Sequence, residues 1–316
     1  MSISLKEPVE DRALAAGGAL DEHHRRCPLC RGALDLRADG HRCLACGRAF
    51  PRTTDGQNDF RLAPDESVRF ELEYRPRRYD RPIDLAARRE RACAERRNSF
   101  SGPVPWHLTR DQISYIPEAR PGEIALDLGC GGGIHRPVLR ALGYRYHGVD
   151  YQGDAATDLV DAHTLPFADG VFDLVMAIAL LEHIAQPFAV LREAQRVLRP
   201  GRRLIGTVAF LEPFHDNSFF HFSPLGVGNT LESCGFIVED VLAIHGWNVV
   251  RAQLEMGLER APLPRSVPNL LSRPFVALLE TYGLIGRLFA RDKSRHARDT
   301  IHARHAGAFF YVARKP

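Results

Sequence analysis

A glycine-rich turn after a short apolar strand constrains the fold of this 316-residue chain more than any other feature. Residues 124–128 are apolar apart from Asp127, and residues 129–133 read Gly-Cys-Gly-Gly-Gly. Beyond this turn, short apolar runs alternate with helix-like segments, which is typical of a parallel sheet covered by helices. A dinucleotide fingerprint would need a third glycine at residue 134, where the chain has isoleucine. The turn therefore predicts a ligand site of a different kind.

Acidic residues lie at the ends of three successive predicted strands. Asp127 ends the first strand, Asp150 ends a strand at 146–149, and Asp161 follows Leu159 and Val160 in a third. The carboxyl ends of parallel strands meet at one edge of a sheet, where ligands bind. A carboxylate at Asp150 can accept hydrogen bonds from both hydroxyls of a ribose. The short interval between Asp150 and Asp161 predicts that the helix between these strands is reduced or missing.

A longer ordered set of segments resembles a known family. A fourth apolar strand spans 171–178, a helix with an apolar face at 188–198 stops at Pro200-Gly201, and a fifth strand spans 204–209. This run closely resembles class I S-adenosylmethionine-dependent methyltransferases of the ubiquinone-biosynthesis, small-molecule type. The resemblance implies an α/β fold: a doubly wound, mostly parallel seven-stranded sheet, here with a small N-terminal zinc ribbon and a helical insertion before the last strand.

The same resemblance implies S-adenosylmethionine as the cofactor. It assigns Asp127 to the methionine part, Asp150 to the ribose and Asp161 to the adenine amino group. Cys130 is expected to be a small residue fixed by the backbone, since the chemistry needs no nucleophile. The remaining predicted cofactor-binding residues are Gly129, Cys130, Gly131, Tyr151, Ala162 and Ile178.

Four cysteines near the N-terminus have the spacing of a zinc ribbon. Cys27 and Cys30 form one Cys-x-x-Cys pair, and Cys43 and Cys46 form the second after twelve residues. Because four protein ligands leave no open position, the zinc is expected to be structural. Strands at 33–36 and 41–44 are predicted to pair around a turn, glycines 32 and 47 to take positive φ, and His41 to lie at the surface. The segment resembles zinc-ribbon methyltransferase activators and the ribbon of ribosomal-RNA guanine methyltransferases.

The predicted organisation has four parts. These are an N-terminal tail (1–26), the zinc ribbon (27–62), a helical connector that covers the cofactor (63–120) and the methyltransferase domain (121–316), with an insertion at about 248–306. The connector contains twelve arginines against eight acids between residues 61 and 110, and a charged helix is predicted at 83–97. This helix is either a phosphate-contacting strip or a solvated bridge. Another helix is expected from Trp106 to Ile116.

The insertion is predicted to contain an apolar helical stripe with three alternative roles: a cap on the acceptor pocket, a dimer face, or a membrane-surface helix. The stripe is formed by Phe275, Leu278, Leu279, Tyr282, Ile285 and Phe289. No segment is apolar enough to span a bilayer, and the N-terminus lacks a signal-like run. A soluble cytoplasmic protein, with a homodimer as one option, is expected.

The predicted acceptor side is rich in aromatic and histidine residues. His183 follows the fourth strand, and residues 210–222 contain His215 and His221 among phenylalanines. These three histidines are the candidate bases, because histidine takes protons near neutral pH. The alternatives are a packing role for His183 and a hydrophobic plug over the sheet for the loop. The leading hypothesis is methyl transfer to a small organic acceptor of the sugar or natural-product type. RNA base methylation, favoured by the ribbon and the arginines, and a non-catalytic cofactor-binding partner protein are the alternatives.

Overall fold

The structure is a computed structural model that describes most of the chain. The described residues are 20–71, 98, 100–213, 217–244, 246–257, 264, 266–289 and 298–316. The predicted charged helix at 83–97 and the candidate base His215 lie outside these residues.

A small antiparallel sheet forms the N-terminal part. Its strands are β1 (Leu34–Arg37), β2 (Gly40–Cys43) and β3 (Ala49–Pro51), in the order β1-β2-β3. The predicted hairpin is present, with Leu34 opposite Cys43. Gly40 has φ 144°, and a Cβ there would lie 2.1 Å from the Phe50 carbonyl oxygen, so the position requires glycine.

The second sheet contains the seven predicted strands and one more. The strands are β4 (Asn58–Asp59), β5 (Ile124–Leu128), β6 (Arg145–Asp150), β7 (Asp158–Leu159), β8 (Phe172–Ala177), β9 (Leu198–Ala209), β10 (Ile237–Ala243) and β11 (Ala308–Arg314). Their order in the sheet is β10-β11-β9-β8-β5-β6-β7-β4, and β11 runs antiparallel to both of its neighbours while the other pairs are parallel. The predicted fold class is confirmed.

Helices cover both faces of this sheet, which is therefore doubly wound. Strand β8 is buried throughout, and its side chains alternate between two apolar clusters. Leu174 and Met176 join the cluster with helices α1 (Arg110–Ile113) and α2 (Arg136–Ala141). Val175 joins the cluster on the opposite face with two further helices, α3 (Pro187–Val197) and α4 (Pro224–Ser233).

Two predicted boundaries are wrong. The helix that was expected to stop at Pro200-Gly201 ends at Val197, and β9 already begins at Leu198. Phe172 pairs with Leu198 but Leu174 pairs with Arg203, so the Pro-Gly pair lies in a bulge of the strand. The helix expected at 106–116 is reduced to α1, which Thr109 caps through a reciprocal pair of hydrogen bonds with Gln112.

The predicted helical insertion lies between β10 and β11. It comprises α5 (Val249–Gly257), α6 (Ser266–Phe289) and α7 (Arg298–Arg304). Among the described residues, no helix is long and apolar enough to cross a membrane. As predicted, no helix separates β6 from β7.

A buried polar network joins the N-terminal segment to the edge of the large sheet. Arg25 is 3% exposed and donates to Asp158 Oδ2 at 2.5 Å, while Asn58 donates to Asp158 Oδ1 at 2.7 Å and His147 Nε2 donates to Oδ2 at 2.9 Å. Burial raises the pKa of Asp158, but Arg25 and the hydrogen bond from His147 hold it well below its ordinary value. The Asp158 carboxylate is therefore charged, and it accepts hydrogen bonds from the N-terminal segment, from β4 and from β6.

We predict that Arg25→Met destabilises the fold by about 3 kcal/mol, because it leaves the Asp158 charge buried without its cation. Urea unfolding at neutral pH measures this change. The matched control is Arg37→Met, whose ion pair with Asp35 is exposed, and which is expected to cost less than about 1 kcal/mol. Equal losses in the two variants would contradict a structural role of the buried pair.

Candidate cofactor and acceptor site

The glycine turn after β5 forms a cradle at the carboxyl edge of the sheet. Gly129, Gly131 and Gly133 have φ of 75°, 50° and 72°, a region that favours glycine. A Cβ on Gly129 would lie 2.7 Å from Leu180 Cδ1, whereas Gly131 faces open space. Gly131 also donates its backbone N–H to Asp150 Oδ2 at 2.8 Å. The turn is thus tied to the end of the neighbouring strand, with room beside it for a ligand.

Asp127 is fully buried at the base of this cradle. Its Oδ2 accepts a hydrogen bond from Tyr146 Oη at 3.0 Å and lies 3.5 Å from His135 Nδ1. Its Oδ1 has no hydrogen-bond partner among the described residues. A buried carboxylate oxygen with no donor is costly, so this atom fits a ligand that brings an amino group.

The other two predicted acids lie on neighbouring strands. Asp150 Oδ1 accepts from the Gln152 N–H at 3.2 Å, so each of its oxygens already holds one backbone donor. Asp161 Oδ1 accepts from the N–H and from Nδ1 of His163, at 3.0 and 2.6 Å. Burial raises the pKa of Asp161, but these hydrogen bonds bring it below its ordinary value. The Asp161 carboxylate is therefore charged. Its Oδ2, and the second lone pair on each Asp150 oxygen, can accept from a ligand.

The remaining predicted cofactor residues lie around the same edge. Cys130 is buried, and its burial beside Asp127 and Asp150 raises the pKa of its thiol well above the ordinary value. Tyr151 is 56% exposed after β6. Ile178 is buried after β8, and Ala162 is partly buried against the core. A neutral buried thiol agrees with the expectation that Cys130 is no nucleophile.

These features fit S-adenosylmethionine, which carries an amino group, a positively charged sulfur and an adenosine. Strands β5, β6 and β7 are adjacent in the sheet. The carboxyl edge therefore carries first Asp127, then Asp150 and then Asp161. This is the order of the methionine part, the ribose and the adenine to which the three acids were assigned. Three acids and an open glycine cradle are complementary to a cation with a ribose.

The N-terminal part reaches this edge, which the sequence did not predict. Gln57 Nε2 donates to the carbonyl oxygens of Gly153 and Ala156 at 2.9 and 2.7 Å. Arg61 Nη1 donates to the Tyr151 carbonyl at 3.2 Å, and its guanidinium lies 5.6 Å from the Tyr151 ring centroid. No helix lies between β6 and β7, and the hydrogen bonds from Gln57 hold the loop that connects these two strands. No local pattern marks a contact between residues nearly a hundred positions apart.

The four ribbon cysteines come together as a ligand set. Their sulfurs all lie within 4.8 Å of one another, with 3.7 Å between Cys27 and Cys46 and 3.4 Å between Cys30 and Cys43. A tetrahedral zinc with bonds near 2.3 Å would place sulfurs roughly 3.8 Å apart. The set therefore fits a zinc ion closed to solvent ligands.

Two details of the ribbon differ from expectation. In the first knuckle Arg31 takes the positive φ (62°), while Gly32 is needed because a Cβ there would lie 2.7 Å from Ala45 Cβ. Gly47 has positive φ, as expected. His41 is buried, since its ring packs near Phe60 and its Nε2 lies 2.7 Å from a Glu22 carboxylate oxygen.

The candidate acceptor side begins after β8. His183 Nδ1 lies 3.2 Å from the Asn217 carbonyl oxygen. A carbonyl only accepts, so Nδ1 carries a proton. His221 is exposed in the same loop. The N–H groups of Phe219 and Phe220 donate to the Glu182 carbonyl at 2.6 and 3.2 Å, which brings the loop to the end of β8.

Two carboxyl groups on this side, the buried Glu182 and the partly buried Glu212, were missed by the sequence analysis. Glu182 is 3% exposed, and burial together with the charge of Glu212 raises its pKa to about 7. Burial also raises the pKa of Glu212 to about 7, although Trp247 Nε1 donates to it at 2.7 Å. The only local signal for Glu182 is its place in the Leu-Glu-His sequence, in which the histidine is the more obvious candidate base. Groups that titrate near neutrality at a sheet edge are typical of functional sites.

Residues 126–206, which include the glycine turn and the three acids, match the family model described as a methyltransferase domain. The chain is similar to the 27-O-demethylrifamycin SV methyltransferase of Amycolatopsis mediterranei, with 29% identity over 47% of this chain and 58% of that protein. It is also similar to a ubiquinone biosynthesis O-methyltransferase of Xanthomonas oryzae pv. oryzae, with 33% identity over 36% of this chain and 56% of that protein.

Among solved structures, phosphoethanolamine N-methyltransferase 2 of Haemonchus contortus, in complex with S-adenosyl-L-methionine, is similar with 20% identity and a TM-score of 0.42. That similarity covers 69% of this chain and 54% of the other. The chain thus spans somewhat more than half the length of the two curated relatives.

We predict that Glu182→Gln changes the pH dependence of stability. The pKa of Glu182 is raised in the folded state from 4.5 to about 7, so the folded state keeps a proton that the unfolded chain has lost between these values. Its contribution is favourable below pH 4.5 and is lost as the pH rises to about 7. Relative to wild type, the variant should therefore gain up to about 3 kcal/mol between pH 5 and pH 8.

Urea unfolding at a series of pH values measures this difference. Glu71→Gln, at an exposed position, is the control and should track the wild type. A constant difference between Glu182→Gln and wild type across the series would show that Glu182 has no raised pKa.

Proposed function

We propose that this chain is an S-adenosylmethionine-dependent methyltransferase that acts on a small organic acceptor of the sugar or natural-product type. The observation that carries the proposal is the open glycine turn with Asp127, Asp150 and Asp161 at or just after the ends of three adjacent strands, within the segment that matches a methyltransferase domain. Each acid has a carboxylate oxygen able to accept from the ligand group assigned to it.

The bound cofactor supplies a methyl group on a positively charged sulfur, already activated for transfer. The chain's own residues then mainly hold and orient the reactants, which is the larger part of such catalysis. Asp127 holds the amino group through Oδ1, Asp150 accepts from the ribose, and Asp161 accepts from the adenine amino group. Gly131 leaves space for close approach.

The small acceptor is supported by exposed aromatic rings near the glycine turn and near the end of β8. Trp106 is 63% exposed, and the adjacent His107 ring lies 6.0 Å from His135 near the glycine turn. Phe219 and Phe220, 61% and 43% exposed, lie near the end of β8. Such rings suit a partly apolar molecule. The names of both curated relatives, a demethylrifamycin methyltransferase and a ubiquinone biosynthesis O-methyltransferase, favour the same class.

A hydroxyl acceptor must lose a proton during transfer, and we assign this role first to His183. Its Nδ1 lies within hydrogen-bond distance of the Asn217 carbonyl, which orients the ring, and it follows β8 at the carboxyl edge where ligands bind. His215 and His221, in the same loop, are the other proposed bases.

For the N-terminal part we propose a structural zinc held by Cys27, Cys30, Cys43 and Cys46. The division into a tail (1–26), ribbon (27–62), connector (63–120) and methyltransferase domain (121–316), a cytoplasmic location and a homodimer stay predictions. RNA is the alternative acceptor, and its support is the arginine content of the connector.

The test is methyl transfer from labelled S-adenosylmethionine to two acceptor pools. One is a metabolite extract and the other total RNA, each from the source organism with this gene deleted. We expect label in the metabolite fraction, and at least about a hundredfold less with Asp150→Ala, because two charge-assisted hydrogen bonds are lost.

The matched control is Asp154→Ala, an exposed acid in the following loop, which should retain the wild-type rate. Label found only in the RNA pool would show that the acceptor is RNA and not a small molecule. Tight cofactor binding with no label in either pool would favour a non-catalytic binding protein.

A further inference from the structure

Helix α6 of the insertion has an inner face that packs against the protein. Ser272 and Leu279 are 3% and 8% exposed, and the Phe275 ring meets His305 edge-on at 5.5 Å. The helix contacts α5 and α7 through this side. The stripe predicted from the sequence is therefore divided, because Phe275 and Leu279 point inward while Leu278, Ile285 and Phe289 do not.

The outer face of α6 is apolar and exposed. A 24-residue helix is roughly 36 Å long, and large apolar side chains recur on its outer side at helical spacing from end to end. Single exposed apolar residues are ordinary, but a continuous set marks an interaction surface. We call this set the outer face of α6; its members, each more than half exposed, are Leu270, Leu271, Leu278, Leu284, Ile285, Leu288 and Phe289.

The insertion that contains this outer face is rich in basic residues. Residues 258–306 contain nine arginines and lysines against four acids, a net charge of +5, whereas the whole chain carries +3. Arg273 is exposed on the flank of the helix. Five basic residues against one acid occupy positions 287–298, at and beyond the C-terminal end of the helix. The insertion thus combines an apolar helix face with a concentration of positive charge.

This charge pattern decides between two occupants of the outer face. In a dimer formed through α6, two insertions that each carry a net charge of +5 would meet, and like charges repel. An anionic lipid surface offers an apolar interior to the helix and negative headgroups to the arginines.

We propose that the outer face of α6 binds an anionic lipid surface, with the helix lying in the plane of the interface. Leu278 and Ile285 enter the apolar layer, and the net positive charge of the insertion favours negative headgroups over neutral ones. The helix lies on the bilayer and does not cross it, in agreement with the lack of a membrane-spanning helix among the described residues.

The test is co-sedimentation of the full chain with vesicles of phosphatidylcholine alone or mixed with phosphatidylglycerol. We expect binding to the mixed vesicles that weakens as salt is raised. The double variant L278Q/I285Q should bind at least about tenfold more weakly, because two buried apolar side chains are lost from the contact. Both positions are exposed in the protein, so the fold should be unaffected.

The matched control L36Q/I237Q makes the same two changes at exposed positions on β1 and β10, away from α6, and should bind as wild type does. The proposal is overturned if wild type stays in the supernatant with mixed vesicles, or if L278Q/I285Q binds equally well. A dimer in sedimentation velocity that L278Q/I285Q converts to a monomer, without vesicle binding, would assign the outer face to a second copy instead.

Discussion

The buried carboxylate of Asp158 joins the N-terminal segment to the edge of the large sheet. A charge with no exposure is tolerated only when its oxygens are satisfied, and here the donors come from Arg25, Asn58 and His147. Burial lowers the pKa of His147, so its ring stays neutral and donates. Asp158 lies in the two-residue strand β7, which pairs with β4 of the N-terminal segment. This segment therefore forms the edge of the large sheet.

That edge also carries part of the candidate cofactor site. The segment between β6 and β7 has no helix to hold it, and its carbonyl groups at Gly153 and Ala156 accept hydrogen bonds from Gln57. The ribbon is thus more than an appended module, since its last strand and Gln57 support the loop that follows Asp150. A structural zinc would act at a distance on the cofactor, by fixing the strands from which these contacts arise.

The sequence predicted best what depends on local pattern. The strand–turn signal at 124–133, the buried run of β8 and the paired cysteines have short-range signatures, and the fold class and hairpin followed from them. It failed where tertiary pairing overrides local signals, as at Pro200-Gly201, which lies in a bulge of β9 because Leu198 pairs with Phe172. It could not find Arg25 or Gln57, because their partners lie about a hundred residues or more away.

Calorimetric titration with S-adenosylhomocysteine tests most directly whether the N-terminal part supports the cofactor site. Gln57→Ala removes two hydrogen bonds to the loop after Asp150, so we predict a Kd about three- to tenfold higher than that of wild type. Gln253→Ala, an exposed glutamine on α5, should leave the Kd unchanged. An unchanged Kd for Gln57→Ala would contradict the account and leave the ribbon as a separate module.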